Sequence, residues 1–216
     1  MNVVGTVLDE LYRAFAILNK EKFDDSLPYP VITIQKDDKN SSFGYFIKDK
    51  IWKRKGDENP SLYEINLNPN LFDTISVNEI IGTLLHEMCH YYNAINDIED
   101  AKGNSHNKIF KATAESVGLI CEKQKGVGFG LTMNSDELNQ FIDKEIAPDE
   151  DSFAWFRFVE PKEIKPKKKT TFTFTCPTCG MKAKGKESIR IKCAVCDEDM
   201  QIEEIEEPES EDNFDE

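Results

Sequence analysis

The amino-acid sequence predicts an α+β fold with a small β appendage. Two segments carry apolar residues at helical spacing, three short segments between them are β-branched and aromatic with turn formers at their ends, and two Cys-x-x-Cys pairs lie near the C-terminus. Val4, Leu8, Leu11, Phe15 and Leu18 recur as one stripe, which predicts an N-terminal helix ending near Phe23. Residues 31–35, 43–48 and 63–68 read as strands of a small sheet. Ser76 followed three residues later by Glu79 forms a capping box, opening a helix through about Ala94 that carries Ile80, Ile81, Leu84 and Leu85. A further helix is expected over about residues 105–117, with Gly118 as its stop.

With 216 residues and 39% hydrophobic content, the chain can bury one sizeable core and a satellite. The N-terminal residues lack the basic and apolar regions of a secretory signal, and no run approaches the roughly 18 apolar residues of a membrane span. A cytoplasmic protein without membrane partners is the expectation. The net charge of -14 opposes a general nucleic-acid binder, yet it is the sum of three unlike blocks. Residues 1–160 carry net -10, residues 161–196 net +8, and residues 197–216 net -12. The organisation expected is a main domain over residues 1–160, a basic linker over 161–170 rich in lysine and proline, a small metal-binding domain over 171–205, and an acidic disordered tail over 206–216.

His86-Glu87-Met88-Cys89-His90 matches His-Glu-x-x-His within the capped helix. Residues four apart share one helical face, so both imidazoles can reach one ion. Glu87 stands about 100° round the helix, where a carboxylate can touch a water on a zinc ion without ligating the metal. Zinc in catalytic sites takes three protein ligands. The chain has one histidine besides these two, His106, and it is favoured as the third ligand over Glu115, the carboxylate alternative on the following helix. A metzincin spacing would need glycine and histidine where Asn93 and Asn96 stand. Cys89 and Cys121 read as core residues.

The series Leu18-Asn19, Phe23, Leu27-Pro28, Ser42-Phe43-Gly44, Leu85 through His90, and Gly103 through Phe110 resembles the SprT-like family over about residues 5–120. The resemblance implies a zincin-like metalloprotease domain in which His86, His90 and His106 bind the catalytic zinc and Glu87 is the base. It implies peptide-bond hydrolysis with a protein as substrate. The Spartan-type relatives act on proteins crosslinked to DNA. Around the third ligand the family often has Gly-His-Gly-Pro-x-Phe, whereas this chain has Ser105-His106-Asn107-Lys108-Ile109-Phe110, keeping the phenylalanine at its offset.

Cys176-x-x-Cys179 and Cys193-x-x-Cys196 have the spacing of a structural zinc held by four thiolates, a zinc ribbon. Phe172 and Phe174 alternate with threonines, and Ile189 and Ile191 with basic residues, as paired strands do. Gly180 and Asp197 follow the two pairs, and both residue types tolerate left-handed backbone. Lys182, Lys184, Lys186, Arg190 and Lys192, with the linker, make DNA a candidate partner. Two rivals stand beside the protease: a non-catalytic nucleic-acid-binding adaptor whose histidine zinc is structural, and a metal-dependent hydrolase acting on something other than peptides.

Overall fold

The computed structural model describes residues 2–36, 42–158 and 170–202, and the chain divides into two compact units, Met1–Glu160 and Pro161–Glu216. The linker residues 161–169, the end of the ribbon segment and the acidic tail lie outside the described residues.

Helix α1 spans Val3–Phe23. Its buried stripe is Val7, Leu11, Ala14, Phe15 and Leu18, whereas Val4 is exposed and Leu8 only half-buried, so the stripe lies rotated from the predicted one toward Val7 and Ala14. The helix stops at Asp24, which takes a left-handed φ of 53° and donates its N–H to the Asn19 carbonyl. The buried Asn19 amide then bonds both the N–H and the carbonyl of Leu27, tying the outgoing chain back onto the helix. Strands β1 (Val31–Ile34), β2 (Gly44–Trp52) and β3 (Leu62–Leu67) form a sheet of order β1-β3-β2. β1 is parallel to β3 and β2 antiparallel, which leaves β2 as an edge.

Helix α2 (Val77–Ile95) begins at the predicted capping box: Ser76 Oγ accepts from the Glu79 N–H at 3.3 Å, and the Glu79 carboxylate accepts from the Ser76 N–H at 2.8 Å. Ile80, Ile81, Leu84, Leu85 and Met88 are all buried, so α2 runs through the core it shares with α1, β2 and β3. Beyond it come β4 (Ala101–Lys102), β5 (Ser105–His106), α3 (Lys108–Ser116), β6 (Leu119–Gln124) and β7 (Gly128–Asn134). These four strands form a second sheet of order β4-β5-β7-β6. Here the expected helix over 105–117 is corrected: residues 105 and 106 are strand, and Asn107 caps a shorter helix by accepting from the N–H groups of Ile109 and Phe110. Gly118, at φ 104°, does follow the helix end. Helix α4 (Asp136–Phe141), a π-turn (Ile142–Ile146) and α5 (Glu150–Phe153) return Ile142, Ile146 and Phe153 to the core.

In the second unit β8 (Phe172–Thr175) is the centre of a sheet of order β12-β8-β9, with β9 at Lys182–Gly185 and β12 at Gln201–Ile202. A two-stranded ladder joins β10 (Lys192–Cys193) to β11 (Glu198–Asp199). The partner of β8 is therefore the segment directly after the first cysteine pair, and Ile189 and Ile191 lie outside the ladders, because the tight turn at Cys176–Cys179 folds the chain straight back as a hairpin. Phe174, Cys176, Cys193 and Met200 make the whole buried core among the described residues of this unit. No helix of the described residues is long and apolar enough to cross a membrane.

Candidate functional site

His86 and His90 project from one face of α2, and β5 brings His106 to the same point. One ring nitrogen of each lies within 4.8 Å of the others, a grouping that can hold a metal ion. His106 owes its place to a long-range pairing: its N–H donates to the Val127 carbonyl at 3.0 Å, and it aligns in parallel with Gly128 on β7. Two glycines make room for it. A side chain at Gly128 would collide with the His106 backbone, and a Cβ at Gly130 would stand 2.6 Å from His106 Nδ1. Phe110, the first buried residue of α3, forms a floor beneath all three rings, with centroids 4.5 to 4.7 Å away.

Each imidazole is oriented through Nδ1. His90 Nδ1 bonds Asp100 at 2.7 Å, His86 Nδ1 bonds Thr132 Oγ1 at 2.9 Å, and His106 Nδ1 faces the Val127 carbonyl at 3.3 Å. Assigned from these partners, the protons sit on Nδ1 and the Nε2 lone pairs face inward. His90 Nε2 and His106 Nε2 are then 2.8 Å apart with no proton between them. Two facing lone pairs repel unless a cation lies between, and three neutral imidazoles form a donor set that suits zinc. Burial first, and then repulsion from His90 and His106, pushes the His86 pKa well below its ordinary value; burial and His90 lower that of His106. Both are thus neutral near pH 7, the state in which imidazole ligates metal.

Asp100 extends this arrangement outward. Burial works to raise its pKa, but the bond and attraction to the His90 ring and the bond from Asn93 prevail, and the pKa is lowered. Asn93 Nδ2 donates to the same carboxylate oxygen at 3.0 Å, and the Thr113 hydroxyl on α3 donates to Asn93 Oδ1 at 3.0 Å. Neither Asp100 nor Thr132 belongs to the predicted site. The chemical clue to Asp100 is a carboxylate in the loop between the second and third histidines, and the clue to β7 is the Gly-x-Gly at 128–130, since glycine in a strand marks close backbone approach. Glu115, the alternative ligand, pairs with Lys111 at 3.1 Å and is not in the grouped set. Cys89 and Cys121 are buried in the core, and burial drives both thiols up, Cys121 to about 11.

Glu87 is only 5% exposed, and burial raises its pKa to about 7; attraction to the His90 ring opposes this, Asp100 adds to it, and the backbone N–H of Phe46 beside the carboxylate opposes it. The carboxylate sits on a cleft of about 1270 Å³, which is lined by β2 residues 44–46, by α2 and by β7 residues 130–134, and which contains all three histidines. A model of the SprT-like family matches residues 11–128, more than half of the chain. The chain belongs to the SprT-like family. No curated protein and no solved structure matches it. The matched stretch runs from α1 to the first residue of β7, so it includes the three histidines, Glu87 and Asp100, while Gly130 and Thr132 lie just past it. SprT-like proteins are generally metallopeptidase-like, which agrees with the histidine group.

The four cysteines of the second unit lie outside the SprT-like match. Their sulfurs are within 4.8 Å of one another, with Cys179 Sγ and Cys193 Sγ 3.6 Å apart, so they too can hold zinc. Both turns close alike: Gly180 N–H donates to the Cys176 carbonyl and Asp197 N–H to the Cys193 carbonyl, each at 2.9 Å, with left-handed φ of 71° and 57°. The N–H of Cys179 leads the groups that lower the Cys176 thiol to about 7, toward the thiolate that binds metal.

Proposed function

We propose that the SprT-like domain is a zinc-dependent endopeptidase with a zincin-like arrangement, in which His86, His90 and His106 hold the catalytic zinc and Cys176, Cys179, Cys193 and Cys196 a structural one. The observation that carries the proposal is Glu87: a buried carboxyl with a pKa near 7, beside three convergent imidazoles, on a cleft large enough for a peptide. Zinc bound there would supply a Lewis acid that acidifies water and polarises a carbonyl. Glu87 takes the proton from the attacking water and returns one to the leaving amine, a task that calls for a pKa near the working pH. The Phe46 N–H holds the carboxylate in place. On the same side β2 is an edge of its sheet among the described residues, to which an extended substrate can add by main-chain hydrogen bonds.

A purely structural histidine site, as in the adaptor reading, is closed by four ligands and has no use for a buried base on a cleft. Glu87→Gln in the full chain should retain both zincs and lose cleavage of an unfolded protein substrate. Undiminished turnover in that variant would remove Glu87 from the base role. Metal analysis tests the two-site proposal: two zincs in the wild type, and one each in His86→Ala and Cys176→Ser. For the ribbon we propose a nucleic-acid contact, supported by the exposure of Lys182, Lys184, Lys186, Arg190 and Lys192. Proteins bound to DNA then come within reach as substrates.

A further inference from the structure

β2 runs alongside α2 in the same direction and continues past it. A Cβ at Gly44 would stand 3.2 Å from the Thr83 side chain, Phe46 stacks on Tyr91 with its N–H on Glu87, and Lys48 reaches Glu99 beyond the helix end. From Lys48 the strand enters a hairpin in which residues 48–58 hold Lys48, Lys50, Lys53, Arg54 and Lys55 against Asp49, Asp57 and Glu58, all exposed, a net positive segment in a unit of net charge -10. Several of these cations have partners that do not cancel them. The Lys50 ammonium lies 5.4 Å over the Tyr63 ring, and Lys53 donates to the Glu58 carbonyl at 2.7 Å. Lys48, which lines the cleft, pairs with Glu99 at 3.1 Å, but the two side chains are 65% and 82% exposed. A pair so exposed contributes little, and another carboxylate can take the place of Glu99.

We propose that this hairpin selects acidic segments of the substrate. The inference rests on the peptidase reading and names its substrate class. A peptide added antiparallel to the β2 edge would place the residues on the N-terminal side of its scissile bond toward Lys48. Lys48 lies two positions beyond Phe46, so the favoured acids stand about two to four residues before that bond. An acidic peptide fits this patch better than nucleic acid does, because only Lys48 lines the cleft, with Lys50 on the same strand and the other cations in the turn beyond, while the rest of the unit is strongly acidic and would repel a long polyanion.

The experiment uses the full zinc-loaded chain and a constant peptide carrying Glu, Gln or Lys at those positions. The Glu peptide should exceed the Lys peptide in kcat/KM roughly tenfold at about 50 mM salt, with the gap narrowing at about 500 mM. Anisotropy of the same labelled peptides on Glu87→Gln should give the same order of binding. The double variant Lys48→Glu/Lys50→Glu should lower the acidic-to-basic ratio at least tenfold, and Glu99→Gln, which frees Lys48, should raise it. Equal values for all three peptides overturn the acidic selection and leave the peptidase reading intact. Ordered binding without cleavage by the wild type overturns the peptidase reading and supports the docking of acidic segments. Binding of a single-stranded oligothymidylate that is lost in the double variant, while peptide discrimination persists, assigns the hairpin to nucleic acid and overturns the proposal.

Discussion

Replacing Asp100 by Asn removes one negative charge and keeps the volume, so it isolates what the carboxylate does for His90. In the native chain Asp100 Oδ2 accepts from His90 Nδ1 at 2.7 Å and from Asn93 Nδ2 at 3.0 Å, with a side chain only 15% exposed. Because both donors meet the same oxygen, the Asn carbonyl can accept from both, but as neutral bonds where charge-assisted ones stood. Outer partners of this kind typically change metal affinity 10- to 100-fold, or about 1.4 to 2.7 kcal/mol. The assay is zinc release to a graded chelator, with the cysteine site on the same chain as internal standard. Zinc at the histidines should leave the variant at a 10- to 100-fold lower chelator activity, and zinc at the cysteines should leave at the wild-type value. A fall in both sites together would indicate general unfolding, and no change in either would remove Asp100 from the support of His90.

Gly130→Ala places a Cβ against the His106 ring and should weaken zinc at the histidines by tenfold or more, while the circular dichroism of the chain is retained. His106→Ala should abolish that zinc, whereas Glu115→Ala should cost no more than the exposed pair with Lys111, under about 0.5 kcal/mol; the reverse result would transfer the ligand role. The bond from Arg13 leads the causes that lower the Glu10 pKa from 4.5, so this pair stabilises the fold above about pH 4.5 and ceases to do so as pH falls through the depressed value. With Arg13 40% exposed, Glu10→Gln should cost at most about 1 kcal/mol in urea at pH 7, and a gap that persists unchanged in strong acid would contradict the linkage. Truncation after Ile202 removes nine acidic residues and should tighten DNA binding and steepen its salt dependence; isotherms of both forms at two salt concentrations check this.

Elements specified by neighbours in sequence are legible in the sequence itself. The capping box at Ser76 and Glu79, the helical face shared by His86 and His90, and the left-handed residues after each cysteine pair all depend on contacts within a few positions. The backbone of His106 depends instead on Val127 and Gly128, some twenty residues later, and nothing around residue 106 announces that pairing. One local sign does exist: Asn107 is a good helix cap, and it separates the histidine from the helix that the spacing of Ile109, Phe110 and Thr113 suggests. Asp100 stands among Asp97 and Glu99, and only the turn after α2 aims it, rather than its neighbours, at His90. Thr132 is one of several alternating residues of a hairpin, and its role follows from which strand meets β5.

This difference between local and distant specification also separates the two candidate metal sites in their expected dependence on metal. In the second unit, two of the four core residues are cysteines of the group that can hold a metal, so loss of a bound ion would remove much of what folds the unit. The histidines stand on a core that is complete without them, with Leu84, Leu85 and Met88 buried on α2 and Phe110 closing the floor. Without metal there, His90 and His106 have facing lone pairs, a repulsion that one shared proton or a small ring rotation relieves. A chelated chain should therefore lose the ribbon's protection against proteolysis while residues 1–160 remain folded. Cooperative unfolding of both units on chelation would mean that zinc at the histidines contributes to the stability of the core as well as to its chemistry.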